Sequence, residues 1–192
     1  MKLNKIFFSK SADKVAKELL GKILCRKING KILRAKIVET EAYFGGEDPA
    51  SRATQNGDLR QTMLMEYGTI LVYGVHNNWL INFVANDEGK AEAVLLRALE
   101  PLNFQANTKG PGLLTKTLKI NKEFHKKKIY KNSEIWLESN NEKFGIVKSF
   151  RIGIKKDLPE KLRFYIKGNE WVSNFARLNP KGKFKKFERV CE

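Results

Sequence analysis

Hydrophobic and polar positions change their period several times along this chain. Residues 11–21 carry apolar side chains at helical spacing, which predicts a first helix. Residues 22–44 alternate apolar and polar side chains instead, as expected of two strands. Asn29-Gly30 interrupts the alternation with a dipeptide typical of a type I′ hairpin turn. A helix followed by an antiparallel hairpin is therefore predicted at the start of the chain.

Later segments predict further strands and one more helix. Residues 68–85 contain two strand-like runs around a polar tip, and Pro111 suits the first turn of a helix. The stretch "GGEDPASRATQNGDLRQT" (45–62) is predicted to be a loop. Strands are also predicted in the runs "SEIWLE", "FRIGIK" and "KLRFYIKG". Together these elements predict one α+β domain over residues 1–178, followed by a basic, mobile tail at 179–192.

The predicted strand "KIVETEAYF" (36–44) carries two carboxylates close together. Because side chains alternate across a strand, Glu39, Glu41 and Tyr43 share one face. The plain interpretation is a half-buried strand with a solvated acidic face. A second interpretation is a pair of carboxylates that takes part in chemistry.

Arg97 lies inside the apolar run "AVLLRALEP", where an unpaired charge is costly. A carboxylate is its expected partner, and Glu41 is one candidate. A purely structural ion pair with Glu39 or Glu100 is the alternative. The sequence alone leaves both partners open.

The net charge of +16 points to a polyanionic partner. The excess is uneven, since residues 101–192 hold 22 Lys and Arg against nine Asp and Glu. An A/T-rich genome that favours lysine codons is the alternative explanation. The two cysteines exclude a disulfide scaffold and lack zinc-site spacing. The chain has no apolar run of membrane-spanning length and no signal-peptide pattern, so a cytoplasmic location is predicted.

Seven sequence blocks resemble, in order, the alkyladenine (3-methyladenine) DNA glycosylase family. They include "IVETEAYFGGEDPAS", "VLLRALEPL", "KGPGLLTKTLKINKEF" and "LRFYIKGNEWVS", and they extend from about Phe8 to Ser173. The resemblance implies a curved antiparallel sheet with flanking helices and a protruding, DNA-intercalating hairpin. It implies a monofunctional enzyme that flips alkylated or deaminated purines out of duplex DNA and hydrolyses the N-glycosidic bond, which initiates base excision repair. No metal or cofactor is expected.

The resemblance assigns three catalytic positions. Glu41 matches the general base, which activates water and stabilises an oxocarbenium-like transition state. Arg97 matches the arginine that helps hold this water, and Ile152 in "RIGI" matches a backbone carbonyl that contacts it. Glu39 is expected to be structural. No matched position offers a nucleophilic amine for lyase chemistry.

The resemblance also assigns a base pocket. Tyr43 matches the aromatic residue that stacks on the flipped base, and Ala50 belongs to the same pocket. Asn82 matches the residue that rejects the amino group of guanine, although a core or turn asparagine is the alternative. Arg52 stands where the family has a histidine. A cation that points inward there would disfavour positively charged bases, so the range of substrates is left open. Expected substrates are 3-methyladenine and 7-methylguanine, with hypoxanthine and ethenoadenine as separate hypotheses.

The DNA-binding surface departs from the family pattern at two places. Tyr73 matches the intercalating tyrosine, but the hairpin is altered in length, so Val75 or His76 is an alternative wedge. Leu113 replaces a DNA-contacting lysine. Contacts with the DNA backbone are expected at Arg60, Met63, Lys109 and Lys116.

The predicted partner is duplex DNA with damaged purines, bound by a monomer in the cytoplasm, near the nucleoid. The alternative function is a non-catalytic module on the same scaffold that binds damaged DNA or RNA.

Overall fold

The computed structural model describes residues 1–87 and 89–173. The predicted tail at 179–192 lies outside these residues. Three α-helices and eight strands are found within the described ranges. The helices are α1 (Ala12–Leu19), α2 (Asp58–Met63) and α3 (Pro111–Thr117). The strands are β1 (Ile23–Ile28), β2 (Lys31–Tyr43), β3 (Ile70–Val75), β4 (Asn78–Val84), β5 (Ala93–Pro101), β6 (Ile135–Glu138), β7 (Ile146–Ser149) and β8 (Arg163–Ile166).

Every strand pair in the described ranges is antiparallel, and the strands form one curled sheet. Its main order is β3-β4-β5-β2-β1-β6, and β8 pairs with both β2 and β7. The predicted mixed α+β class with a single domain is confirmed. None of the described helices is long and apolar enough to cross a membrane.

Helix α1 packs on the sheet through the apolar stripe that its sequence predicts. Ala12, Val15, Ala16 and Leu19 are all fully buried. Gly21 then turns the chain with a φ of 79°, a conformation that suits glycine. The hydroxyl of Thr40 in β2 donates to the Ala16 carbonyl at 2.8 Å. One face of β2 is thereby fixed against α1, and the other face is left for the site.

Strand β2 changes its neighbour at an irregularity next to Glu39. Its first half pairs with β1, and residues Glu39 to Glu41 pair with β8. On its other side β2 pairs with β5, and the register shifts on both sides of Glu39. Such bulges re-aim side chains and are common beside active sites. The two carboxylates therefore lie where the sheet is most tightly enclosed.

Two hairpins end in tight turns, and the first turn is of the predicted type. Asn29 and Gly30 have φ values of 48° and 77°, as a type I′ turn requires. His76 and Asn77 form the tip of the β3–β4 hairpin with φ values of 47° and 60°. Val75 pairs with Asn78 directly below this tip.

Three local predictions were wrong or incomplete. The run "FRIGIK" is a turn rather than a strand, with Gly153 at a φ of 77°. Of its three alternating apolar residues only Ile152 is buried, and Phe150 is 40% exposed. The supposed loop at 45–62 contains a 3₁₀ turn at Arg52–Thr54 and most of α2. Strand β7 was missed because its side chains are largely exposed, so it lacks an apolar signal.

The Lys-rich segment after α3 covers the outer edge of β3. The N–H of Lys126 donates to the Ile70 carbonyl and the Ile70 N–H donates to Lys127, both at 2.8 Å. Further along, the Val72 N–H donates to Nδ1 of His125 at 3.1 Å. This segment therefore continues the hydrogen bonding of the sheet beyond its last strand.

A glycine substitution in the first hairpin should measure the cost of its turn. Gly30 has positive φ and open space around its Cα, so Gly30→Ala adds backbone strain without a clash. We expect the free energy of unfolding to fall by about 1–2 kcal/mol in urea titrations. Gly46 also has open space but no positive φ, so Gly46→Ala is the matched control. Equal losses in the two variants would contradict this interpretation of the turn.

Candidate active site

Glu41 is completely buried and accepts three hydrogen bonds. Its Oε1 accepts from the backbone N–H of Ile152 at 2.8 Å. Its Oε2 accepts from the hydroxyl of Tyr43 at 2.9 Å and from Nη1 of Arg97 at 3.2 Å. All three partners are donors, which is the pattern that a carboxylate satisfies. The structure thus places Arg97 and Ile152, the other two predicted catalytic residues, in direct contact with Glu41.

Glu39 lies on the same face of β2 and is equally buried. Its Oε1 accepts from Nε of Arg163 at 2.6 Å, and its Oε2 accepts from the N–H of Ser173 at 2.7 Å. Oε1 also lies 3.3 Å from Nε of Arg97, but these two atoms form no hydrogen bond. The interpretation of this strand face as solvated and acidic is therefore wrong, because arginines compensate both carboxylates inside the protein.

Arg97 lies between these two carboxylates. Burial works against its charge, but Glu41 and Glu39 raise the pKa of Arg97 above its usual value. Glu39 and Glu41, the two candidate partners in β2, therefore both form ion pairs with Arg97. Glu100, the third candidate, instead pairs with Lys36 at 3.0 Å.

The ring of Tyr43 rests on a buried arginine that sequence reasoning missed. The guanidinium of Arg151 lies 4.5 Å from the centre of this ring. Arg151 donates to both oxygens of Asp48, at 2.6 and 2.7 Å, and also pairs with Asp157. No local pattern could reveal the pairing of Arg151 with Asp48, since 103 residues separate them. Burial and the charge of Glu41 raise the pKa of Tyr43 well above 10, so its hydroxyl remains a donor.

A small cavity opens at Tyr43, whose hydroxyl donates to Glu41. All four predicted pocket residues, Tyr43, Ala50, Arg52 and Asn82, line it. Met63, Leu71, Tyr73 and Ala93 complete the wall. Strand register explains this grouping, because Tyr43 pairs with Ala93 and Asn82 pairs with Leu71. The volume is about 10 Å³. That is room for about one water molecule, far less than a purine needs.

Arg52 and Tyr73 close this cavity together. The guanidinium of Arg52 lies 5.1 Å from the centre of the Tyr73 ring. Tyr73 is mostly buried, and burial raises the pKa of its hydroxyl. The residue that matched the family's wedge therefore lines the pocket in this structure, whereas His76 occupies the exposed hairpin tip.

The predicted contacts with the DNA backbone divide into two groups. Arg60, Lys109 and Lys116 are exposed. Met63 is 1% exposed, so its side chain shapes the pocket instead. Leu113, at the position of the family's lysine, is 43% exposed on α3. Phosphate contacts at these positions remain predictions.

A larger groove of about 850 Å³ lies between α1 and the segment before β8. Lys17, Phe44 and Leu162 are among its lining residues, and none of the predicted site residues lines it. Size alone favours this groove, but both oxygens of its buried carboxylate, Asp48, accept hydrogen bonds from Arg151. The small cavity beside Glu41 is therefore the candidate active site.

Comparison with known proteins agrees with this geometry. The family model described as methylpurine-DNA glycosylase matches residues 6–170. A relative from Aeropyrum pernix is 43% identical over 186 residues, which cover 93% of this chain and 95% of the relative. A relative from Clostridium tetani is 38% identical, covering 90% of this chain and 99% of its own. Both carry the printed name "Putative 3-methyladenine DNA glycosylase".

The chain belongs to the methylpurine-DNA glycosylase family. It is accordingly a DNA glycosylase, a hydrolase of N-glycosyl bonds.

Asp48→Asn should show how strongly the Arg151 ion pair supports the pocket. Burial alone would raise the pKa of Asp48, but hydrogen bonds from Arg151, Phe44 and Ala50 bring it below its usual 3.8. Removing one partner of a buried pair costs about 3–5 kcal/mol, so we expect a loss of that order at neutral pH.

The pH dependence of this loss gives a second readout. A carboxyl whose pKa is lowered by folding stabilises the protein at pH values above its unfolded pKa. This stabilisation is lost as the pH falls through the folded pKa. The unfolding free energy of Asp48→Asn should therefore fall less than that of the wild type between neutral pH and pH below about 4. Parallel curves would show that Asp48 carries no such linkage.

Proposed function

We propose that this DNA glycosylase flips damaged purines out of duplex DNA and hydrolyses their bond to the sugar. Its proposed substrates are 3-methyladenine and 7-methylguanine, with hypoxanthine and ethenoadenine as further members of the set. The observation that carries the proposal is the buried carboxylate of Glu41, held by Ile152, Tyr43 and Arg97 beside a cavity with an aromatic wall.

Glu41 retains the capacity to activate a water molecule. A carboxylate offers about four acceptor sites, and the three donors described above use three of them. One site on Oε1 therefore remains for the nucleophilic water. In the proposed reaction Glu41 accepts a proton as this water attacks C1′, and its negative charge stabilises the oxocarbenium-like sugar.

Arg97 and Ile152 both help to hold this water in the proposal. Arg97 carries a buried Nε that makes no hydrogen bond within the described residues, so this N–H is available to the water. Ile152 fixes one oxygen of Glu41 through its N–H and contributes its carbonyl to the same water. Neither residue needs a change of protonation state during the reaction.

The flipped base enters the cavity against the ring of Tyr43. Arg151 fixes one face of this ring, so the other face is the one proposed to stack on the base. Asn82 is buried and donates to the Leu71 carbonyl at 3.2 Å, which holds its amide in a defined orientation. A rigid amide in the pocket supports its proposed role in rejecting the amino group of guanine.

His76 is the proposed wedge that replaces the flipped base in the helix. It is exposed at the tip of the β3–β4 hairpin, and its imidazole is large enough to stack between bases. Val75 is less exposed and lies in the strand below the tip, and Tyr73 faces the pocket. The tip position therefore favours His76 among the three candidates.

The basic surface is proposed to bind DNA phosphates, with Arg60, Lys109 and Lys116 as its named contacts. Such contacts raise affinity without sequence preference and weaken with added salt. A net charge of +16 supports the same partner and an association with the nucleoid. One chain supplies every proposed site residue, so we propose that it acts as a monomer.

Glu41→Gln should slow base release strongly and leave DNA binding in place. The change keeps the shape of the side chain but removes the base, and general-base catalysis contributes about 10²–10⁴-fold. We expect single-turnover release from duplexes with 3-methyladenine, 7-methylguanine, hypoxanthine or ethenoadenine to fall by about this factor.

Glu123→Gln, an exposed glutamate on the surface, is the matched control and should retain wild-type rates. Full activity in Glu41→Gln would overturn the mechanism. Tight binding of damaged duplex by a wild type that releases no base would instead support a non-catalytic damage-binding module.

His76→Asn should identify the wedge. Asparagine tolerates the positive φ at this position, so the turn is kept while the ring is lost. We expect base release from a fully paired duplex to fall about tenfold, because the gap left by the base is no longer filled. A lesion in a single-nucleotide bulge needs no such filling and should be released at the wild-type rate. Equal loss on both substrates would assign His76 another role.

A further inference from the structure

Arg52 places a positive charge in the wall of the base pocket. It begins the short 3₁₀ turn Arg52–Thr54, which is capped by the Ser51 side chain through the Ala53 N–H at 3.1 Å. From this turn the guanidinium reaches over the Tyr73 ring and lines the cavity with Tyr43 and Asn82. The contact with the Tyr73 ring and the place of Arg52 in the cavity lining put this charge at the wall of the pocket.

Arg52 differs from the other arginines around the site in how its charge is compensated. Arg97 and Arg163 lie against Glu39 and Glu41, and Arg151 lies against Asp48 and Asp157. Within the described part of the chain, no carboxylate lies within 4.0 Å of the Arg52 guanidinium. Without Arg52 the site would hold one more carboxylate than arginine, a surplus that attracts cations. Arg52 brings the formal charge of the site to zero.

This balance matters because damaged purines fall into two charge classes. Purines alkylated at N3 or N7 carry a positive charge, whereas hypoxanthine and ethenoadenine are neutral. A fixed cation nearby disfavours a second cation in the same enclosed space. The forked donors of a guanidinium also match the O6 and N7 acceptors that hypoxanthine shares with guanine.

The closed state of the pocket strengthens this argument. With a volume of about 10 Å³, the cavity admits a base only if Arg52, Tyr73 or both move. A neutral base can replace the Tyr73 ring as the partner of the guanidinium, through its face or its acceptors. A cationic base offers no such exchange, so the guanidinium must leave the pocket without a new partner.

We propose that Arg52 is a specificity residue that favours neutral damaged purines over cationic alkylated ones. The inference rests on the proposed function, because it concerns which bases the same pocket accepts. Arg52 is expected to contact the base and not the water or the sugar.

The test compares two substrates in one variant series. Duplexes with 7-methylguanine or hypoxanthine are cleaved under single-turnover conditions in slightly acidic buffer, where 7-methylguanine is cationic. Arg52→Gln and Arg52→Met remove the charge and keep a long side chain. Each should raise the rate ratio of 7-methylguanine to hypoxanthine about tenfold. This corresponds to about 1.4 kcal/mol of difference in activation free energy between the two substrates.

Two controls separate charge from shape and from DNA binding. Arg52→Lys retains the charge and should keep the ratio close to that of the wild type. Arg60→Gln removes an exposed charge outside the pocket and should lower both rates in the same proportion. An unchanged ratio in both neutral variants, with both bases released, would overturn the role of Arg52 and leave the glycosylase proposal standing. Release of neither base by the wild type would overturn both proposals.

Discussion

The site depends on one constraint: Glu39 and Glu41 are buried on the same strand face and must be compensated there. Isolated buried carboxylates are costly, and Arg97 from the neighbouring strand β5 lies within reach of both. Arg163 and Ser173 complete the compensation of Glu39, which leaves Glu41 with a single arginine and a free acceptor site. Glu39 therefore helps to compensate the charge of Arg97, and Glu41 keeps the acceptor site that its proposed role requires.

A second group of ion pairs, Arg151 with Asp48 and Asp157, supports the pocket on the other side of Glu41. Arg151 ties the segment after β2 to the turn at residues 151–157 through Asp48 and Asp157, and it supports the Tyr43 ring. The next residue in this turn, Ile152, donates to Glu41. The supports of Tyr43 and Glu41 thus share one connection through Arg151 and Ile152, so a change that loosens Arg151 should act on both of their proposed roles. Hydrogen bonds hold the Glu41 carboxylate, while the guanidinium of Arg52 lies over the Tyr73 ring in another wall of the cavity.

Local patterns in the sequence predict those parts of the fold that local physics determines. The apolar stripe of α1, the Asn29-Gly30 turn and the start of α3 at Pro111 each follow from a few neighbouring residues. The family resemblance also predicted four of the residues that meet in the cavity, although their contacts follow from strand register, which joins distant segments. Two features escaped prediction for the same reason. The orientation of Tyr73 depends on hairpin register, and the turn at "RIGI" depends on partners about 100 residues away.

The Lys-rich segment at residues 125–129 has a structural role in addition to its positive charge. It hydrogen-bonds along the outer edge of β3, and the ring of His125 accepts the Val72 N–H where the backbone contacts stop. An open strand edge is a template for pairing with another chain, and lysines are a common means of discouraging this. The same charges that favour a polyanion therefore also protect the sheet beside the pocket against self-association. The lysines of this stretch thus have a structural explanation that is separate from the proposed binding of nucleic acid.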